Sequence, residues 1–409
     1  MRILSEPGTQ AGPSPQAGQE GPSIASEPAG HLGYIDGLRG LAILMVLLYH
    51  VWRAANNPAD FWWNPLASGY TGVNLFLVLS GFCLYWPLVK PVRPAPEPRL
   101  IDFARRRAHR LLPAYYIALG LFTALNLLWE RSGRIWPEGT IHGQAAVLKA
   151  AAWHLLLVQN LRPNALWAID SPLWTLALEV SLYVAIPILV VTARKTRIEW
   201  AVALATLVTL AYRLGVDRFG GGAAGWDTLE TETAYVLADF LPGRWVEFAL
   251  GMWAAALVGS GASRRSRVPF GLLALLCFLS DMWLHMRYGQ HNPFSEPLFG
   301  LSFFFVILCA SRAPLAQGFS LGRFLRARFM VWIGVISYSV YLLHQPILWI
   351  LIGLGRPHFS RGRDIFASCV FLFLPIVIGI SFLFYVQVER RFLNKPRAGR
   401  APGLPGQIR

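Results

Sequence analysis

The strongest constraint on this chain is a succession of about ten apolar stretches, at residues 35–54, 72–89, 110–129, 172–193, 198–214, 242–259, 268–286, 296–311, 331–354 and 365–388. A helix needs about 17–25 mostly apolar residues to cross ~30 Å of hydrocarbon, and these stretches match that length. Composition agrees, with 55% of the 409 residues hydrophobic and 14% charged. Soluble domains run at roughly 45–50% and about 25%. The predicted fold class is all-α: a polytopic helical membrane protein of about ten transmembrane helices.

The ends of the chain read differently. Residues 1–32, which include "SEPGTQAGPSPQAGQEGPSIASEPAG", are rich in Pro, Gly, Ser and Gln. Such a segment cannot bury enough apolar surface to offset its chain entropy, so a disordered N-terminal tail is expected. It lacks the basic flank and apolar core of a signal peptide. Residues 33–392 form the expected transmembrane domain and 393–409 a basic disordered tail. With little chain after Glu389, any chemistry is expected inside the membrane domain or with a partner.

The formal charge of +15 comes from Lys and Arg placed in short connections. Basic clusters follow the second span (Lys90 to Arg107), the fourth (Arg194, Lys195, Arg197), the sixth (Arg264, Arg265, Arg267), the eighth (Arg312 to Arg328) and the tenth (Arg390 to Arg397). Basic loops stay on the cytoplasmic side, so this alternation predicts a multi-pass plasma-membrane protein with both termini cytoplasmic. It also argues against nucleic acid as a partner and for the lipid bilayer. The stretch 145–160 is apolar, but a crossing there would invert every later loop, so it is expected to be a short interfacial or re-entrant helix. Arg356, Arg361 and Arg363 fall on the outer side and run against the rule. The four cysteines lie in apolar stretches without metal-type spacing, so no metal is expected.

Polar groups inside the spans carry the functional argument. In "YIDGLRGLAILMVLLYH", eleven residues separate Arg39 from His50. At ~100° per residue the two return to one helix face, with Asp36 within ~60° of both, and they stand about 16 Å apart along the axis. Ionisable groups at that depth face the bundle interior or a water-filled cavity and are functional candidates by default. The structural alternative is an Asp36–Arg39 pair anchoring the helix end, with His50 bonded to a neighbouring helix. Glu179 in the fourth span, Glu247 in the sixth, and Tyr338, Tyr341 and His344 in the ninth suggest a shared polar interior. Packing hydrogen bonds are the competing explanation for each. Ser80 lacks a nucleophile-elbow sequence and reads as a close-packing site.

Six segments in order, "YIDGLRGLAILMVLLYH", "GVNLFLVLSGFCLYW", "FARRRAHRLLPAYYIAL", "LWTLALEVSLYV", "GRWVEFALGMW" and "ISYSVYLLHQPIL", resemble acyltransferase family 3, the membrane proteins that include O-acetyltransferases of cell-surface polysaccharides. The resemblance runs from about Tyr34 to Glu389. Arg39 and His50 match the family's arginine–histidine pair on the first span, and Arg107 and Arg110 match its paired-arginine motif. The family often carries aspartate where this chain has Asn74, so no role needing a negative charge is carried to that position.

The resemblance implies transfer of an acyl group, commonly acetyl from acetyl-CoA, to an acceptor hydroxyl. The acyl-CoA donor comes from the cytoplasm, and the acceptor is a carbohydrate or glycolipid met at the outer face. Arg39, Arg106, Arg107 and Arg110 then become the expected donor-binding residues, since guanidinium groups bind phosphates through charge-assisted hydrogen bonds. Loop charge without a ligand is the alternative for the Arg105–Arg110 cluster. His50 becomes the catalytic base, because a neutral hydroxyl needs a proton acceptor and imidazole titrates near pH 7. An acyl-histidine route stays open. Glu179 or Asp36 is the candidate orienting carboxylate, and Asn74, Tyr338 and His344 are candidate acceptor contacts. A transporter or exporter of a small acylated metabolite or lipid-linked precursor is the competing function, although no inverted repeat supports it.

Overall fold

The computed structural model describes residues 32–55, 66–90, 100–132, 141–220, 236–237, 239–288, 292–312, 320–355 and 362–393. The expected tails at 1–32 and 393–409, apart from Leu32 and Leu393, and the connections 56–65 and 221–235 lie outside the described residues. The described part is helical throughout, in the order α1 (Gly33–Ala54), α2 (Gly72–Val89), α3 (Leu100–Arg131), α4 (Gln144–Leu155), α5 (Trp174–Lys195) and α6 (Ile198–Gly220). Then follow α7 (Trp245–Gly259), α8 (Phe270–Tyr288), α9 (Ser295–Arg312), α10 (Arg328–Val335), α11 (Ser337–Gly355) and α12 (Asp364–Phe392).

Among the described residues nine helices are long and apolar enough to cross a membrane: α1, α2, α3, α5, α6, α8, α9, α11 and α12. The tenth expected span, 242–259, is a shorter helix. Pro242 and Gly243 open it with a 3₁₀ turn over Leu241–Arg244, leaving 15 residues of α7, about 22 Å of helix. Its faces are buried on all sides, which suits a helix enclosed by protein. The single span expected at 331–354 is also divided, because the helix breaks at Ile336 between α10 and α11. The break lets α10 cross α1 closely. A side chain at Gly334 would run into the backbone oxygen of Asp36, and one at Gly37 into that of Leu325 just before α10.

The most extensive helix crossing joins α2 to α7. A Cβ at Gly81 would strike the Phe248 carbonyl, and one at Gly251 the Val78 carbonyl, so the two backbones are in contact. Small residues at facing positions are the usual means by which membrane helices approach this closely. Around this core, α6, α8 and α12 turn large apolar residues such as Leu207, Leu272 and Phe371 outward, the pattern expected of a lipid-facing belt.

The apolar stretch at 145–160 contains α4, 12 residues long, about 18 Å and too short to cross ~30 Å of hydrocarbon. Tyr115 and Tyr116, at the middle of α3, donate to the carbonyls of His154 and Leu155 at 2.8 and 3.1 Å. The end of α4 therefore meets α3 halfway along its length, as a re-entrant segment would. The chain then turns back, with Gln159 Nε2 and Asn160 Nδ2 donating to the carbonyls of Leu173 and Trp174 at the start of α5. His154 is fully buried in this joint.

Candidate active site: two polar cavities with a common wall

Two cavities open inside the bundle. The first, about 130 Å³, is lined by Arg39 of α1, Ser80 and Cys83 of α2, Arg107 and Arg110 of α3, Glu179 and Tyr183 of α5, Tyr338 and Tyr341 of α11 and Glu389 of α12, among others. The second, about 430 Å³, carries His50, Asn74, Gln345, Asp239, Arg244 and Glu296 among a ring of aromatic residues: Tyr49, Tyr70, Trp167, Trp174 and Trp349. Val73 and Tyr341 line both. We call them the arginine cavity and the histidine cavity.

The arginine cavity is built from residues whose helices each contribute one polar stripe. Arg39 Nη1 lies 3.2 Å from Asp36 Oδ1, one turn earlier on α1, and its Nη2 is 3.4 Å from Cys83 Sγ. The Asp36–Arg39 pair read as an alternative from the sequence thus forms. Its arginine still faces the cavity, so anchoring and lining are both served. Arg107 sits 5.9 Å over the Tyr183 ring. Glu179 accepts from Ser80 Oγ at 3.1 Å and from the Tyr183 hydroxyl. Ser80 is therefore a hydrogen-bond partner at a helix contact. Tyr338 belongs to this cavity too, its hydroxyl donating to the Leu111 carbonyl at 2.8 Å. Glu389 is held by Ser339 where α12 winds into a π turn over Tyr385–Glu389, a distortion common at functional sites.

The histidine cavity is lined by the His50 imidazole, with that of His344 packed against it. The rings of His50 and His344 have centroids 5.1 Å apart, and Tyr341 lies 5.7 Å from His344. His344 is fully buried, with Nδ1 2.9 Å from the Tyr341 carbonyl and 3.2 Å from that of Val340. Both neighbours are acceptors, so Nδ1 carries the proton and Nε2 is an acceptor. That Nε2 is buried without a partner. Tyr341 is fixed by a 3.0 Å hydrogen bond from Thr175 and by an edge contact with Phe76 at 5.9 Å.

One wall of this cavity is a buried ion cluster. Arg244, opening α7, lies 3.1 Å from Asp239, 2.8 Å from Glu296 and 2.9 Å from Glu247, and Arg213 is 3.5 Å from Glu296. Guanidinium groups fit such shared carboxylates because their five donors lie in a fixed fork. Glu247 is thereby a structural partner of Arg244 and does not line either cavity.

The structure therefore gathers Arg39, Arg107, Arg110, Glu179 and Tyr338 into one cavity and His50 and Asn74 into the other, with His344 against His50. It does not bring Glu179 or Asp36 to His50: Glu179 is bonded to Ser80 and Tyr183, and Asp36 to Arg39. Arg106 is exposed and lines neither cavity. Residues that the sequence reading passed over include Glu389, Gln345, Arg244, Asp239, Glu296 and the tryptophans 167, 174 and 349. The polar members stand beside or within apolar stretches, a visible signal. The tryptophans look like ordinary interface residues. Among the described residues no group of three or more His, Cys, Asp or Glu converges as a metal site.

The fold and the paired cavities define a polytopic membrane protein with a polar reaction-sized interior. The profile of the acyltransferase 3 family, described as "Acyltransferase domain", matches residues 32–386, and the chain belongs to that family. It is 24% identical over 335 residues to "O-acetyltransferase OatA" of Staphylococcus aureus strain NCTC 8325 / PS 47, covering 78% of this chain and 51% of that protein. Against "Peptidoglycan O-acetyltransferase OatA" of Listeria monocytogenes it is 25% identical over 335 residues, 77% and 49% of the two chains. Against "Putative membrane-bound transacylase BcsY" of Komagataeibacter xylinus it is 27% identical over 374 residues, 88% and 82%. The chain thus spans about half the length of the two OatA proteins it matches. No solved structure matches it.

Proposed function

We propose that the protein is an O-acyltransferase that moves an acetyl group from cytoplasmic acetyl-CoA to a hydroxyl of a cell-surface carbohydrate or glycolipid. The observation that carries this reading is the pair of cavities, one rich in arginine and one lined by His50 with His344 packed against it, that share Val73 and Tyr341 in their walls. Arg39, Arg107 and Arg110 face Glu179 and Glu389 across the first cavity, an excess of guanidinium over carboxylate that suits a phosphate-bearing donor. Its small volume admits the narrow acyl end of a pantetheine arm. The nucleotide stays at the mouth, within reach of exposed Arg106, on the side where both chain termini then lie.

The acyl end reaches the histidine cavity past Val73 and Tyr341. There the acceptor hydroxyl attacks the thioester carbonyl while His50 takes its proton. The new C–O bond forms, the C–S bond breaks, and the departing CoA thiolate regains that proton. His344, with its proton held on Nδ1, offers a bare Nε2 beside His50, and we assign it as the positioning residue of the base in place of a carboxylate. Glu179 is assigned to the donor side, where it orders Tyr183 and Ser80.

The test is transfer from labelled acetyl-CoA by purified protein in detergent. His50→Ala should abolish transfer while acetyl-CoA still binds. Arg39→Ala should weaken acetyl-CoA binding roughly ten- to a hundredfold, the range for a hydrogen bond to a charged group of about 1.5–3 kcal/mol. Substantial turnover by a folded His50→Ala protein, or undiminished donor affinity in Arg39→Ala, would refute the assignment. Substrate movement across proteoliposomes without thioester loss would favour a carrier.

A further inference from the structure

Asn74 of α2 and Gln345 of α11 stand on the wall of the histidine cavity, 2% and 8% exposed. Each has a buried atom without a hydrogen-bond partner, Nδ2 of Asn74 and Oε1 of Gln345. Buried amides are nearly always satisfied, and orphans that flank a cavity mark where a ligand supplies the partner. Charge gives no competing pull at this place. Arg244, Asp239 and Glu296 are already paired with one another, and Arg53 lies exposed at the rim.

A primary amide offers both donors and an acceptor, whichever way it is turned. Two of them are satisfied together by a ligand carrying several groups that both donate and accept. A simple long-chain alcohol has one hydroxyl and cannot serve both amides and the base. A sugar ring can, with two hydroxyls or an acetamido group engaging the amides and a further hydroxyl left for His50. The cavity also presents Trp174, Trp349 and Tyr49, flat amphipathic surfaces that combine an apolar face with a polar edge.

We infer that Asn74 and Gln345 form the acceptor subsite for a neutral sugar ring and select which of its hydroxyls meets His50. This rests on the acyl-transfer reading for its chemistry, but sugar binding can be read without a donor.

The experiment titrates purified full-length protein with N,N′-diacetylchitobiose, following the fluorescence of the cavity tryptophans, with 1-decanol as the apolar counter-probe. Wild type should respond saturably to the disaccharide. Asn74→Ala and Gln345→Ala should each weaken that response about three- to tenfold, the span of one neutral hydrogen bond. In transfer assays they should raise the disaccharide KM and change the ratio of acetylated positions seen by NMR, while directly measured acetyl-CoA affinity stays put. If either alanine variant fails to fold, Asn74→Leu and Gln345→Met keep the bulk, remove both the donor and the acceptor and should weaken the sugar likewise. Three results would overturn the inference: no disaccharide response in wild type, a decanol response without one, or variants that bind and acetylate the disaccharide as wild type does. If wild type binds the disaccharide with the expected variant losses but neither binds acetyl-CoA nor releases CoA, the acyl-transfer reading fails and the sugar subsite stands.

Discussion

Replacing Arg244 with methionine should be among the most destabilising single changes in this protein. The guanidinium serves three carboxylates at once, at 3.1 Å from Asp239, 2.8 Å from Glu296 and 2.9 Å from Glu247. Glu247 is fully buried, and Asp239 and Glu296 are nearly so. Removing one partner of a buried ion pair costs about 3–5 kcal/mol, because the remaining charge is left uncompensated. Arg213 still reaches Glu296 at 3.5 Å, which favours the lower end. An estimate of about 3 kcal/mol corresponds to roughly a hundredfold shift in the folding equilibrium. Glu247→Gln, which leaves Arg244 with two carboxylates, should cost distinctly less, and Arg244→Lys should fall between the two. The assay is SDS or urea unfolding of the detergent-purified variants, followed by tryptophan fluorescence. An Arg244→Met protein within about 1 kcal/mol of wild type would place the pair in the range of exposed ion pairs and refute the buried-cluster argument. Because Arg244 also lines the histidine cavity, acetyl transfer should fall in step with stability across this series.

Other changes test the remaining parts of the structure. Gly251→Val puts a branched side chain where only backbone fits against Val78. It should destabilise by about 1–3 kcal/mol or more in the same unfolding assay, the usual cost of overpacking. Val73→Trp should fill the wall shared by the two cavities, leaving acetyl-CoA binding measurable but transfer to the acceptor lost. Unimpaired transfer would show that the acyl group does not pass there. His154, outside the long spans, has its imidazole pushed down to about 4 by burial, below the ordinary 6.5. A group depressed in this way leaves stability whole above pH 6.5 and removes it as the pH falls toward 4, at roughly 1.4 kcal/mol per unit. His154→Leu should flatten that acid limb of the pH–stability profile.

The membrane fold was legible in the sequence because lipid imposes a length and an apolarity that a helix must meet. The bounds of α2 agree with expectation to the residue. What hydropathy could not show was where a helix breaks for packing. The division at Ile336 goes with the close crossing of α10 and α1 at Gly334, a contact between distant segments that no local window contains, and α7 is shortened by the 3₁₀ turn over Leu241–Arg244. The site was legible in the same uneven way. Helical geometry put Arg39 and His50 on one face, and both line interior cavities. Pairings across helices were not readable. Glu179 meets Ser80, 99 positions away, and not His50, while His344 lies against His50.

The two cavities also give a physical reason for spacing a guanidinium and an imidazole along one helix. A single α1 fixes their separation at about 16 Å whatever the surrounding helices do, so neighbours can shift at Tyr341 without changing the distance between Arg39 and His50. Tyr341 is suited to be the moving part. It is tethered by one hydroxyl bond to Thr175 and otherwise held by ring contacts with Phe76 and His344. On the proposed reading, breaking that tether with Thr175→Val loosens the wall without touching either anchor. Loss of thioester to water should then rise relative to transfer, measured as CoA released against acetylated acceptor formed. A ratio identical to wild type would mean that the wall is held by packing alone.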